Sequence, residues 1–175
     1  MSADTGPVLS TAELFRAHGA FVWRLLQRLG VPAADLDDLT QEVFIAVHRA
    51  LHTYEERNHL KAWLYRICVR EAVRHLRALP PQGNMDIEDL EQISPDCPEA
   101  SARASEARAY VERLLATLDE PRRTVFVLYE IEELTMSEVA AAVGCPLQTA
   151  YARHNSAKKH IVAAARRLVA KEGAR

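Results

Sequence analysis

A chain of 175 residues, 49% hydrophobic and 26% charged, has the make-up of an ordinary soluble globular protein with enough apolar side chains for a core in one or two small domains. With no run of about 18 apolar residues and no basic-then-apolar leader in MSADTGPVLSTAEL, neither a membrane span nor a signal peptide is expected. The three cysteines, Cys68, Cys97 and Cys145, are odd in number and widely spaced, which excludes a disulfide framework and CxxC metal spacing. A cytoplasmic protein without metal or cofactor is expected. Ala, Leu, Arg and Glu dominate and strand-like alternation is hard to find, so the predicted fold class is all-α.

Residues 1–11 read as a tail. Thr11–Leu29 is a predicted helix with Leu14, Phe15, Phe21, Val22, Leu25, Leu26 and Leu29 on its apolar side, closed by Gly30-Val31-Pro32. Ala33–Ala50 is a second helix or helix pair. Its acidic start (Asp35, Asp37, Asp38) suits a helix N-terminus, and Leu36, Leu39, Val43, Phe44 and Val47 form its apolar face. After the polar break HTYEERN, Leu60–Leu79 is a third helix. At about 100° per residue, Trp63, Arg66, Arg70, Arg74 and Arg77 share an arc of roughly 80°, while Tyr65, Val69, Ala72 and Leu76 form the expected buried side.

Pro80-Pro81-Gln82-Gly83-Asn84 ends regular structure. The stretch to about residue 103 reads as a flexible linker. Helical periodicity returns at 101–117, 121–131, 135–143 and 147–170. The expected organisation is therefore two small helical domains, 12–79 and 104–171, joined by an acidic linker, 80–103.

The formal net charge of −2 hides a segregation. Pro80–Ala102 holds six acids (Asp86, Glu88, Asp89, Glu91, Asp96, Glu99) and no base. Leu60–Leu79 sets five bases against Glu71, and Ala150–Arg175 sets seven against Glu172, giving +4 and +6. Two basic helices separated by an acidic connector point to nucleic acid.

The clearest motif is LTMSEVAAAVGCPLQTAYARHNSAKKH, Leu134–His160. Thr135-Met136-Ser137-Glu138 has capping-box spacing, Ala140 is small where a second helix must approach, and Gly144 supplies the turn. The helix after Cys145-Pro146 carries Gln148, Thr149, Tyr151, Arg153, His154, Lys158 and Lys159. This is helix–turn–helix grammar, in which the second helix presents its N-terminal half to the major groove. The arginine can read base edges and the lysines can clamp phosphates.

DLDDLTQEVFIAVHRAL (35–51), KAWLYRICVREAVRHLR (61–77), LxxPRRxVFxL (118–128) and the helix–turn–helix, in this order, resemble bacterial RNA polymerase sigma factors. The likeness is to the small two-domain extracytoplasmic-function type of the sigma-70 family, over roughly residues 12–79 and 104–170. It implies a non-enzymatic transcription initiation factor whose partners are core RNA polymerase, promoter DNA and an anti-sigma protein, with no small-molecule substrate and no membrane insertion. By resemblance, Asp38, Gln41 and Glu42, with Asp35 nearby, dock on the polymerase. An exposed acidic patch opposite a basic partner would also speed that docking. Tyr54, in the loop that would take a flipped base, and Trp63, Arg66, Arg70, Arg74 and Arg77 would hold the −10 element as a single strand. Gln148, Thr149, Tyr151, Arg153, His154, Lys158 and Lys159 would bind the −35 duplex. The recognition helix, QTAYARHNSAKKH, departs from the commoner GTVKSRLHRAR, which leaves the −35 sequence open.

The alternative is a conventional helix–turn–helix regulator that binds duplex DNA without polymerase. A hydrolase or transferase finds no nucleophile–base pair, glycine-rich phosphate loop or metal cluster, and His48, His52 and His59 are too loosely placed for a metal site.

Overall fold

The structure is a computed structural model that describes residues 10–54, 60–80 and 102–172. Most of the expected tail and acidic linker, and residues 55–59 of the loop before the third helix, lie outside the described residues. Seven α-helices and no strand occur among those described. They are α1 (Thr11–Leu29), α2 (Leu36–Ala50), α3 (Leu60–Ala78), α4 (Ala102–Ala116), α5 (Glu120–Phe126), α6 (Met136–Val143) and α7 (Leu147–Glu172). Single turns of 3-10 helix precede and follow α2, and α5 runs on into a π-helical turn, Val127–Ile131.

The helix bounds follow from local chemistry. Ser10 and Glu13 form a capping box at the start of α1, and Gly30 ends it at φ 96°, in the left-handed region that costs glycine least. Thr135 and Glu138 form the predicted box at α6, which Gly144 closes at φ 71°. Asp119 caps α5, with Pro121 in its first turn.

α1, α2 and α3 pack on one another, and α4 to α7 form a second group. The expected faces of α1 and α2 are buried except for Phe21, which is half-buried, and Phe15, which stands 47% exposed and meets Phe44 edge-to-face at 4.9 Å. The two groups share one continuous core, because α3 also lies against α6. Tyr65, Val69 and Ala72 are buried as predicted and Leu76 is half-buried. A second set on α3, Leu64, Ile67, Cys68 and Glu71, is buried too, because this helix is covered on more than one side.

Burial pushes the Cys68 thiol up to about 12, with the charge of Glu71 adding to the shift. The unfolded chain releases that proton near its ordinary 9.0. The folded state therefore binds the proton more tightly, and its stability falls as pH rises from about 9 to 12. Between pH 8 and pH 11, wild type should lose about 2 kcal/mol more than Cys68→Ala in urea titrations. Equal losses would mean that the thiol does not drive the alkaline limb.

Candidate docking and nucleic-acid interfaces

The start of α2 builds the acidic surface. Asp37, Asp38 and Gln41 are exposed on its first turns, and Asp37 accepts the Trp23 indole N–H at 2.9 Å. Asp35 and Glu42 are tied to α3. Asp35 meets His75 Nε2 at 2.9 Å, and Glu42 accepts from Arg74 Nη2 at 3.0 Å. Of the four residues expected to dock on a partner, Asp38 and Gln41 thus face outward, while Asp35 and Glu42 join the two helices.

On α3, Arg66, Arg70, Arg74 and Arg77 are all exposed. Trp63 is half-buried against the core beside Tyr54, ring centroids 5.0 Å apart and tilted by 53°. The two aromatics expected to meet unstacked bases therefore form one platform at the N-terminal end of α3. Arg77 departs from its neighbours by reaching toward α5, its Nε 3.4 Å from Glu120. A cleft of about 580 Å³ runs between α2 and α3, lined by Glu42, Arg49, His52, Arg70, Glu71 and Arg74 among others. Sequence reasoning missed Arg49 and Glu71, which lie off the arc that contains Trp63.

In the C-terminal half, the tight turn at Gly144 sets α7 against α5 and α6. Gln148, Tyr151, Lys158 and Lys159 are exposed, and Thr149 and Arg153 are half-buried. His154, expected with them on the duplex-binding face, is only 8% exposed. Its Nε2 lies 2.7 Å from a Glu130 carboxylate oxygen, and its ring packs on Phe126 and Tyr129. Helical spacing is the reason, since Ala150, His154 and Ala157 fall on one stripe and all three are buried.

The halves meet around Glu132, which follows the π turn of α5. Its Oε2 accepts the Tyr65 hydroxyl at 2.7 Å, and its Oε1 pairs with Arg28 Nη1. Burial first, then this hydrogen bond, pushes the Tyr65 phenol well above its usual range. The next residue, Glu133, is held at φ 58°, an uncommon backbone state for a side chain of this size. Nearby, the mostly buried Arg123 donates to the carbonyls of Leu115 and Leu118 and lies directly over Gly30. Burial lowers its guanidinium to about 10, which leaves it cationic at neutral pH.

Comparison with known proteins bears on this architecture directly. The family model described as Sigma-70 region 2 matches residues 14–79, and the model described as Sigma-70, region 4 matches residues 108–161. The chain is 32% identical over 141 residues to the ECF RNA polymerase sigma-E factor of Escherichia coli K12, covering 75% of this chain and 74% of that one. It is 31% identical over 147 residues to the RNA polymerase sigma-H factor of Pseudomonas aeruginosa, covering 78% and 76%. Among solved structures it resembles CnrH in complex with the cytosolic domain of CnrY, at 26% identity and TM-score 0.61 over 87% of this chain and 85% of that one. It shares its fold with the Bartonella quintana sigma factor RpoE, solved with the anti-sigma factor NepR, at 16% identity and TM-score 0.68 over 89% and 96%. Two family regions in order exclude a free-standing helix–turn–helix regulator, which has no need of the first. The chain belongs to the sigma-70 family of RNA polymerase sigma factors, as a member of the extracytoplasmic-function type that directs the polymerase to promoters.

Proposed function

We propose that three surfaces divide the work of this sigma factor. The exposed start of α2, led by Asp38 and Gln41 with Glu42 and Asp35 behind them, docks on core polymerase. The Tyr54–Trp63 platform and the arginines Arg66, Arg70 and Arg74 hold the −10 element as a separated strand, with Arg77 at the edge of that face. The N-terminal half of α7 reads the −35 duplex through Gln148, Tyr151, Lys158 and Lys159, with Thr149 and Arg153 alongside. The factor performs no chemistry of its own and acts in the cytoplasm, and none of its described helices is long and apolar enough to cross a membrane. An anti-sigma protein is a fitting partner, since both structural neighbours were solved in complexes, one of them with a named anti-sigma factor.

The observation that carries this reading is the separation of charge on exposed helix faces: acids on α2, arginines on α3 and lysines on α7. Electrostatic complementarity of that kind sets orientation and association rate. The test is transcription in vitro with purified core polymerase on a random promoter library. Core plus this protein should initiate at a defined set of sequences, and no initiation anywhere would overturn the reading. On a promoter so recovered, Tyr151→Ala with Lys158→Ala should weaken binding to the −35 duplex by about tenfold or more. His154→Ala should lower thermal stability while leaving duplex affinity per folded molecule within about twofold.

A further inference from the structure

Glu71 is an isolated acid on a basic helix, and the division of surfaces above gives it no task. It is nevertheless buried, with 5% exposure. Burying a carboxylate is costly unless cations and hydrogen bonds offset the lost hydration. Here the offset comes from two arginines. Arg70 Nε donates to Oε1 at 3.2 Å, and Arg74 Nη2 sits 2.7 Å from Oε2 as an ion pair outside hydrogen-bond geometry. Both arginine side chains stay 65% exposed while their heads are held.

A guanidinium offers five N–H donors, so one contact to Glu71 leaves most of them available. Among the described residues, Arg70 keeps both of its Nη groups free of partners, and Arg74 keeps Nε and Nη1. Without an acid between them, two like charges at i and i+4 repel and take separate rotamers. We propose that Glu71 is a positioning residue for promoter binding: its buried carboxylate fixes Arg70 and Arg74 as a pair and presents their remaining donors together to one DNA strand. This rests on the reading of α3 as the −10 face. Arg74 also reaches Glu42 on α2 at 3.0 Å, so Glu71 is the anchor that stays when Glu42 turns to the polymerase.

Coulomb's law and positioning predict opposite signs here. The trio of Arg70, Glu71 and Arg74 carries +1, and Glu71→Gln raises it to +2. Charge alone then makes a phosphate strand bind more tightly, whereas loss of positioning makes it bind more weakly and with less discrimination. The experiment uses reconstituted holoenzyme and a promoter recovered with the wild-type protein from a random library. Fluorescent non-template-strand oligonucleotides carry either the −10 sequence of that promoter or a scrambled one. Glu71→Gln should weaken the matched oligonucleotide by about tenfold and leave the scrambled one within about twofold. Glu71→Asp, which keeps the charge but draws it back by one methylene, should lose an intermediate amount, and it decides the matter if the glutamine variant does not fold.

Tighter or unchanged matched binding in the variants overturns the proposal. So does a loss that vanishes once affinities are corrected for the folded fraction measured by circular dichroism, because that marks a purely structural carboxylate. Arg70→Ala and Arg74→Ala separate the two levels. If neither weakens the matched oligonucleotide, the α3 reading falls and the proposal with it. If both weaken it and the Glu71 variants do not, the positioning role alone falls.

Discussion

Glu132→Ala should part the two halves of the molecule before either half unfolds. The substitution removes the shared acceptor of the Tyr65 hydroxyl and the Arg28 guanidinium. Tyr65 is only 2% exposed, so its hydroxyl is left desolvated and without this partner. An orphaned buried hydroxyl costs about 1–3 kcal/mol. Arg28 is partly exposed and recovers some hydration, which keeps its share below that of a fully buried pair. The sum, roughly 2–4 kcal/mol, falls on the surface where the two helical groups meet within their shared core. Small-angle scattering should report a radius of gyration above the roughly 16 Å of a compact chain of this length. Thermal melting should split, with an early phase for separation. Tyr65→Phe should do less, because the carboxylate keeps Arg28. Unchanged scattering with a single melting transition for Glu132→Ala would show that the apolar contact of α3 with α6 holds the halves unaided.

This arrangement bears on promoter binding. The −10 and −35 elements lie about 25 base pairs apart, or roughly 85 Å of B-DNA. A compact chain of this size is about half as wide. On the proposed reading, α3 and α7 cannot reach both elements while α3 is packed against α6, so the Glu132 contact has to be released for both to bind at once. The Tyr65 hydroxyl then loses its Glu132 acceptor and the apolar contact of α3 with α6 is broken, which makes separation costly for the free protein.

The helices were legible because their ends are written locally. Gly30 and Gly144 close α1 and α6, and the Thr135–Glu138 box opens α6. The face of α2 followed from apolar spacing alone. The charged groups of α3 and α7 were less legible, since residue type says only that a side chain can bind DNA and not which way it points. His154 sits on the inward stripe of α7, and its packing partners come from the end of α5 and the π turn that follows it, more than twenty residues away. Tyr65 was recognised as core, but its acceptor lies 67 positions further along the chain. Glu71 looked like a lone acid on a basic face, and burial on a second side of α3 is what ties it to Arg70 and Arg74. Pairing across helices leaves no periodicity in the sequence, so these contacts required the fold.

Gly30→Ala should be among the most damaging single-methyl changes in the protein, for two separable reasons. At φ 96° the backbone is in a region that an alanine adopts only with strain, at a cost of about 1–2 kcal/mol. The new methyl carbon would also stand 1.7 Å from Arg123 Nη1 and 2.9 Å from Arg123 Cζ, closer than atoms can approach. Arg123 cannot simply swing away, because its head satisfies the carbonyls of Leu115 and Leu118. Displacing it leaves those acceptors without this donor and costs a further 1–3 kcal/mol or so. Together these predict a loss of roughly 3 kcal/mol and a fall in melting temperature of about 10 °C. Adding Arg123→Ala should not restore stability, since it removes the clash but neither the strain nor the need of the two carbonyls for a donor. If the double variant melts with the wild type, the guanidinium is a spacer and not a structural donor. If Gly30→Ala alone is neutral, the turn after α1 is free to change its backbone and the Arg123 head is free to move aside.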